Sequence, residues 1–339
     1  MNRCIKWCGL ILCACLLLVF LAGCDGDNDR YSPYSKKILQ NPPYAGLTDS
    51  IEKFPDDPLL YLQRALLLSQ NNRHEMATAD YKKSWEMKQD PNTALEYVSN
   101  LLTTDRVNDA VSLLEQGVKQ FPDNPEFSRR LSEVYSHLGK SEQALKQYNT
   151  ILEKDPSNFE TWYDKGVLLA QMKDTPAAIE ALEKSFSIQP INYSGLALAT
   201  LYASAKDPRA LELCDKLLAT DTTGQQTEPI FMKGVYYSEV KDYDNAVKQF
   251  DECIRRDWKM TDAYIEKGIV LLDQKKTNEA LEIFKLASTV SNTNADAYFW
   301  MARSYEALGN KADAIRNYER AISLDRNFAE AWEAIQRLK

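Results

Sequence analysis

The amino-acid sequence predicts an all-α fold, a solenoid of about eight stacked helix hairpins. Three features that recur every 34 residues carry this prediction: an alanine, an apolar side chain four residues after it and, in the first half of the chain, a proline. The length of 339 residues would by itself suggest two domains. That expectation does not apply to a chain built from one repeated unit.

The alanines mark the second helix of each hairpin. They are one period apart, with two periods between the third and the fourth, at Ala110, Ala144, Ala178, Ala246, Ala280 and Ala314. One helical turn later, on the same helix face, come Leu114, Tyr148, Leu182, Phe250, Phe284 and Tyr318. Each pair is therefore expected to be buried against a neighbouring helix.

A small residue marks the first helix of most hairpins. It precedes the alanine by 12 positions, at Ser132, Gly166, Gly234, Gly268 and Ala302. A bulky residue comes 4 positions earlier still, at Trp162, Ile230, Tyr264 and Tyr298. Small side chains let two helix backbones approach while large side chains fill the remaining space, so the pattern predicts a helix hairpin.

Glycines mark the turns within these hairpins, and prolines mark their ends. Gly139 and Gly309 lie between the two helices of a unit, where glycine permits a left-handed C-cap. Pro122, Pro156 and Pro190, again 34 residues apart, end units because proline cannot continue a helix.

The whole pattern resembles the tetratricopeptide repeat, whose signature runs W-x2-L-G-x2-Y, then A-x3-F, then P. Much of this signature is present in one unit, at Trp162, Gly166, Leu169, Ala178, Leu182 and Pro190. The resemblance implies a right-handed α-solenoid whose first helices line a concave groove that holds peptides or partner helices.

Eight units and two capping helices are predicted, and the solenoid is assigned to residues 43–339. The units start near Pro58, Pro91, Pro125, Phe159, Asn192, Thr227, Thr261 and Ala295. Caps are expected because a bare terminal unit would expose its apolar face. The first would start at Pro42-Pro43 and carry Leu47, Ile51 and Phe54, and the last would carry Phe328, Ala331, Trp332, Ile335 and Leu338. The fifth unit is irregular, with a short turn at 206–208 and a longer loop at 220–226.

Residues 1–23 resemble a bacterial lipoprotein signal peptide. Arg3 and Lys6 precede an apolar run of 11 residues ending at Phe20, whereas a membrane-spanning helix needs about 20. Residues 21–24 resemble a lipobox, which implies that Cys24 carries lipid, including palmitate, and becomes the mature N-terminus. Residues 24–42 would then be the lipidated cysteine and a flexible tether. An ordinary signal peptide with a chance cysteine is the alternative.

The charge of the mature chain bears on its location and partners. Without residues 1–23 it keeps 39 Lys and Arg against 49 Asp and Glu, a net charge of -10. This charge favours neither nucleic acid nor an anionic lipid surface, so lipid would provide the membrane contact. The expected location is the bacterial cell envelope. Asp25 resembles the inner-membrane retention signal of enteric bacteria, but Asp25, Asp27 and Asp29 resemble the surface-export signal of Bacteroidota lipoproteins, which favours the outer membrane.

Few residues suit catalysis. His74 and His137 fall in different units near helix ends, and the 12 glycines include no G-x-G phosphate loop. Cys214 and Cys253 fall on core places of the repeat, which favours buried free thiols over a disulfide. We therefore expect no enzyme, cofactor, metal site or small-molecule substrate, and an enzyme with a site between units is the alternative.

Acids recur at the start of first helices, at Glu126, Glu160, Glu228, Asp262 and Asp296. They complement the helix dipole, or they form an acidic rim for a basic partner.

The predicted groove would present a mainly apolar stripe. Its pairs are Leu62 and Leu66, Tyr163 and Val167, Phe231 and Val235, Ile265 and Ile269, and Phe299 and Arg303. Such a groove with an acidic rim favours a protein partner, either an amphipathic helix or a hydrophobic segment with basic flanks. The Lys and Asn with which some co-chaperone members grip a carboxylate are absent, so that specificity is not carried over. Alternatively, the stripe packs against neighbouring units and the protein is a structural spacer or a self-assembling subunit.

Overall fold

The structure is a computed structural model that describes residues 33–338, with side chains from Lys36 onward. These residues form nineteen α-helices and no β-strand. The predicted signal peptide and the predicted lipidation site at Cys24 lie outside the described residues. The fold class predicted from the sequence, an all-α chain of repeated helix hairpins, is confirmed.

First and second helices alternate along the chain. The first helices are α3 (Pro58–Gln70), α5 (Pro91–Thr103), α7 (Pro125–His137), α9 (Phe159–Gln171), α11 (Asn192–Ser204), α13 (Glu228–Glu239), α15 (Thr261–Asp273) and α17 (Ala295–Ala307). The second helices are α4 (His74–Met87), α6 (Val107–Gln120), α8 (Ser141–Lys154), α10 (Thr175–Ile188), α12 (Arg209–Ala219), α14 (Tyr243–Arg256), α16 (Thr277–Val290) and α18 (Lys311–Leu324). Flanking helices are α1 (Pro33–Leu39), α2 (Ala45–Lys53) and α19 (Ala329–Leu338). The predicted unit starts are confirmed, with a difference of one residue at α13.

The chain divides into two compact units, one ending at Ala110 and the other beginning at Val111. In the first unit, helices α2 to α5 pack against one another in chain order. In the second unit, each first helix from α7 packs against its own second helix, and α9, α11, α13, α15 and α17 also pack successively side by side. We call the surface formed by the first helices of the second unit, α7 included, the first-helix face.

The core of each hairpin is the contact predicted from the small and bulky residues. All six repeated alanines are buried, as are the six side chains one turn later. A Cβ atom added to Gly166 or Gly234 would lie 2.7 Å from Leu182 or 2.6 Å from Phe250. Such distances are shorter than real carbon contacts, so the glycines are what allows the two helices to approach.

A repeated hydrogen bond ties the bulky residue of the first helix to the preceding loop. Trp162 Nε1 donates to the Pro156 carbonyl at 2.9 Å, and Tyr264 Oη donates to the Trp258 carbonyl at 3.2 Å. The same bond, six residues back along the chain, occurs at Tyr61, Tyr298 and Trp332. Loops with and without proline are therefore fixed in the same way.

Left-handed residues follow the first helices. Gly139 and Gly309 have φ of 69° and 76°, which confirms the predicted C-caps. Six other turns place a residue with a side chain in this conformation, namely Asn72, Asp105, Lys173, Lys206, Lys241 and Lys275. The short turn predicted at 206–208 is present, and α12 has 11 residues where the other second helices have 14.

The predicted tether and caps need correction. Residues 33–39, assigned to the flexible tether, form α1, because Leu39 is buried and its carbonyl accepts a hydrogen bond from Thr48 Oγ1 at 2.8 Å. In the caps, Ile51 and Ile335 are buried as expected. Phe54 ends α2 and is 64% exposed, and Trp332 is 48% exposed because its ring nitrogen reaches the preceding loop.

The first unit contains a buried ion pair between its two hairpin helices. Arg64 on α3 donates to both carboxylate oxygens of Asp80 on α4, at 2.7 and 2.8 Å, and to Thr48 Oγ1 at 3.1 Å. The two charged residues are only 5% and 2% exposed. The pair therefore joins α2, α3 and α4 through one guanidinium group.

Cys214 and Cys253 are buried free thiols, which confirms the favoured reading of the sequence. Burial raises the pKa of each thiol to about 12. Cys253 Sγ donates to the Thr227 carbonyl at 3.6 Å. At the same repeat position two repeats earlier, the Ser185 hydroxyl donates to the Phe159 carbonyl at 2.8 Å. Cys253 thus acts as a small core residue at a position that serine also fills.

Candidate functional site

The structure places the predicted groove residues on the first-helix face with unequal exposure. Tyr163, Val167, Phe231, Val235 and Ile269 are half-buried, Ile265 and Phe299 are each 7% exposed, and Arg303 is exposed. Ile265 and Phe299 therefore offer little surface to a ligand. The binding role of the stripe stays a prediction.

The neighbouring hairpins cover much of the stripe. Tyr163 and Val235 pack against the buried cluster around Leu198 and Leu217. The ring of Phe231 lies 5.5 Å from that of Phe250, measured between centroids. These contacts show that the stripe contributes to the stacking of units as well as to the surface.

Lysines of the first helices are directed towards second helices. Lys165 Nζ donates to Asn149 Oδ1 at 2.8 Å, Lys233 Nζ to Asp215 Oδ1 at 2.8 Å, and Lys267 Nζ to Asp251 Oδ1 at 2.6 Å. The three lysines share one place in the repeat, and each binds the second helix that precedes its own. These three lysines are therefore engaged by the preceding hairpin and not by the carboxylates of their own helices.

Two carboxylates that the sequence did not single out are half-buried on the first-helix face. Asp164 and Glu266 lie one turn after Glu160 and Asp262, and neither carboxylate forms a hydrogen bond or ion pair with any residue in the described range 33–338. Burial, followed by the charge of Glu133, raises the pKa of Asp164 to about 6. Burial also raises the pKa of Glu266, and the neighbouring acids add to it. The signal in the sequence was a second acid four residues after the predicted acid, which occurs on α9 and α15 alone among the five helices that begin with a predicted acid.

The charges of α7 compensate one another. Arg129 donates to Glu126 at 2.6 and 2.8 Å and also to Glu133, and Arg130 donates to Glu126 at 2.8 Å. These hydrogen bonds, led by that from Arg129, lower the pKa of Glu126. The predicted acids at the start of the first helices all lie in the first helical turn.

An aromatic pair lies next to Asp164. The rings of Tyr163 on α9 and Tyr193 on α11 meet edge to face with centroids 4.6 Å apart. Tyr193 is 44% exposed. The first-helix face thus combines apolar side chains, an accessible tyrosine ring and carboxylates without an internal partner.

The two histidines lie at helix ends in different hairpins. His74 starts α4, where its Nδ1 lies 3.3 Å from Asn100 Oδ1, and His137 ends α7 and is exposed. Within the part of the chain that the structure describes, no group of three or more His, Cys, Asp or Glu is placed to hold a metal ion.

The repeats define the class of protein. Family profiles described as "Tetratricopeptide repeat" match residues 101–165, 159–192, 228–257 and 271–338, which is more than half of the chain. The chain belongs to the tetratricopeptide repeat family, and it is a helical-repeat scaffold for protein-protein interaction.

Curated relatives match across much of the chain at low identity. A DnaJ homolog subfamily C member 7 homolog of Dictyostelium discoideum is 24% identical over 257 residues, 74% of this chain and 40% of the relative. Its Schizosaccharomyces pombe counterpart is 24% identical over 314 residues, 86% of this chain and 62% of the relative. The N-terminal acetyltransferase A complex auxiliary subunit of Arabidopsis thaliana is 25% identical over 218 residues, 60% of this chain and 24% of the relative. The chain therefore spans less than two thirds of each relative's length.

Solved structures show the same fold. A tetratricopeptide repeat protein from Parabacteroides merdae superposes with a TM-score of 0.52 at 14% identity, over 83% of this chain and 98% of that one. PilW, described as a type IV pilus biogenesis factor, superposes with a TM-score of 0.50 at 17% identity, over 62% of this chain and 98% of that one.

Proposed function

We propose that the protein is a membrane-anchored lipoprotein scaffold of the bacterial cell envelope that binds a partner peptide or helix on its first-helix face. The observation that carries the proposal is the surface itself, where half-buried apolar side chains lie beside carboxylates without an internal partner. Side chains of this mixed kind suit an amphipathic partner segment, which can present apolar and basic residues together.

The proposed anchor rests on the sequence. The lipobox-like residues 21–24 provide a cysteine for lipid attachment, and two or more acyl chains are enough for lasting membrane binding. Among residues 33–338 no helix is long and apolar enough to cross a bilayer. A lipid on Cys24 would supply the attachment, with the outer membrane favoured and the inner membrane as the alternative.

Replacing Cys24 by alanine tests the anchor. We expect Cys24→Ala to abolish palmitate labelling and to release the protein from the membrane fraction, because the thiol that would accept the lipid is gone. The measurement is metabolic labelling followed by fractionation. The matched control Cys15→Ala, inside the signal segment, should label as the unaltered chain does. Continued labelling of Cys24→Ala would contradict the anchor.

The relatives support the binding role by analogy. One of them is by its name an auxiliary subunit of an enzyme complex, so it works by association with other proteins. A comparable role here would make this chain a non-enzymatic member of an envelope assembly.

Affinity capture from envelope extracts tests partner binding on the first-helix face. We expect Phe231→Glu to lose at least one partner that the unaltered protein retains, because a carboxylate would replace an apolar contact. Ile265→Glu is unsuitable, since Ile265 is buried and the change would test folding. Leu286→Glu, which adds the same charge on α16 at a side chain that is 51% exposed, is the matched control.

Equal recovery of every partner by both variants would contradict the binding proposal. Thermal unfolding of each variant establishes that it is folded. If Phe231→Glu is not folded, Val167→Glu on α9 repeats the test two repeats earlier in the chain.

A structural spacer or self-assembling subunit is the second candidate. The packing of Tyr163 and Val235 into the neighbouring cluster favours it, because those side chains already have contacts within the chain. Concentration-dependent self-association in sedimentation, abolished by Phe231→Glu, would support this candidate over a partner in the groove.

A further inference from the structure

The exposed ring of Tyr193 is held in place by its neighbour. Its edge-to-face contact with Tyr163 fixes the ring at a centroid distance of 4.6 Å. Because 44% of Tyr193 remains exposed, part of the ring is open to a further contact. A fixed and accessible phenol ring is a surface on which a cationic group can be placed at little entropic cost.

The charges of two carboxylates reach the Tyr193 hydroxyl. Asp164 and Glu160 both lie on α9, one helical turn apart on the same face, and both charges act on the Tyr193 hydroxyl. Burial, then these two charges, raise the pKa of Tyr193. Neither carboxylate has a hydrogen bond or ion pair with another residue of the described chain.

The nearby cations are already engaged elsewhere. Arg129 donates to Glu126 and Glu133 on its own helix, and Lys165 donates to Asn149 while its Nζ lies 5.0 Å from the centre of the Trp162 ring. The charge of Arg129 also acts on Asp164, but neither Asp164 nor Glu160 has a side-chain hydrogen bond or ion pair within the described chain. A positively charged side chain from outside would complement these two carboxylates.

We propose that Tyr193, Asp164 and Glu160 form a subsite that receives an arginine or lysine side chain of the partner segment. The proposal rests on the first-helix face being the partner-binding surface. It specifies which residues bind the partner's positively charged side chain. The cation lies against the tyrosine ring and donates hydrogen bonds to the carboxylates. The partner's apolar side chains then lie along the adjoining stripe.

Protonation of Asp164 makes the subsite sensitive to pH. The groups that face Asp164 are Arg129 and Glu133 on α7, Tyr148 on α8, Glu160 on α9 and, across the face, Tyr193 on α11. Because the pKa of Asp164 is raised to about 6, its carboxylate is mostly charged at pH 7 and mostly neutral at pH 5. Binding of a cation is therefore expected to weaken as the pH falls through this range.

The test uses a defined probe and the purified full-length protein. The probe is a short acetylated peptide rich in leucine and alanine with one central arginine, and the comparison peptide has neutral citrulline in its place. By fluorescence anisotropy at pH 7 we expect the arginine peptide to bind at least about fivefold more tightly. Asp164→Asn and Tyr193→Leu should each remove most of that preference.

Controls separate the subsite from general electrostatic attraction. Glu180→Gln removes one negative charge from an exposed position on α10 and should preserve the arginine preference. The preference should fall between pH 7 and pH 5 in the unaltered protein and stay flat in Asp164→Asn. Both test variants change partly exposed side chains, and circular dichroism establishes that they fold.

Binding of both peptides with equal affinity would overturn the subsite, as would an unchanged preference in Asp164→Asn and Tyr193→Leu. Equal, tight binding that Phe231→Glu abolishes would leave the first-helix face as a binding surface while removing the subsite. Loss of the preference in Glu180→Gln to the same extent would also overturn it, because the charge effect would then be non-specific.

Discussion

Replacing Asp80 by alanine is expected to lower the free energy of unfolding of the first unit by about 3–5 kcal/mol. Arg64 is 5% exposed and loses both hydrogen bonds to the Asp80 carboxylate, at 2.7 and 2.8 Å. A buried charge without its partner is among the most destabilising changes a single substitution makes. Urea denaturation followed by circular dichroism measures the loss.

The same helix provides the matched control. Glu86 on α4 pairs with Lys82 at 3.6 Å, but these side chains are 51% and 64% exposed. An exposed ion pair contributes at most about 1 kcal/mol, so Glu86→Ala should have a small effect. Equal effects of Asp80→Ala and Glu86→Ala would show that burial does not set the strength of the Arg64 pair.

Removing the Phe284 ring is expected to lower the free energy of unfolding of the second unit by about 3–5 kcal/mol. The ring is fully buried, covers Gly268 and stacks on Trp300 with centroids 6.1 Å apart. Phe284→Ala would leave a cavity between α15 and α16. Leu286→Ala, two residues along the same helix at a side chain that is 51% exposed, should change the free energy by no more than about 0.5 kcal/mol.

A double-mutant cycle tests whether Gly268 and the Phe284 ring are in close contact. A Cβ atom on Gly268 would lie 2.4 Å from a carbon of the Phe284 ring, so Gly268→Ala should destabilise the unaltered protein. In the Phe284→Ala background the same substitution should be neutral or stabilising, because the ring is absent and alanine favours helix over glycine by about 1 kcal/mol. A Gly268→Ala effect of equal size in both backgrounds would contradict the proposed close contact.

Much of the fold could be predicted because the repeat places the same kind of residue in the same environment. Ala144 and Tyr148 are buried for the reason that Ala280 and Phe284 are, and one period suffices to predict both. The left-handed turn at Lys241 could not be predicted in this way, since the expected glycine is absent and the helix packing on both sides imposes the conformation.

The candidate site was less predictable because it depends on contacts between neighbouring hairpins. Ile265 and Ile269 follow the same pattern as Phe231 and Val235, yet Ile265 is buried where Phe231 is half-buried. The difference comes from the particular side chains that pack around each position, which a single period does not specify. Asp164 became a candidate because the structure shows its burial and its missing internal partner.

The hydrogen bonds between neighbouring hairpins connect residues that are close in sequence. Lys165 reaches Asn149, 16 residues earlier, and the ring of Trp162 reaches a carbonyl 6 residues earlier. In such a chain each hairpin depends mainly on its immediate neighbours. Under mechanical tension the second unit is therefore expected to yield hairpin by hairpin. The remaining hairpins would keep their shape, and the lost ones could re-form on them as a template.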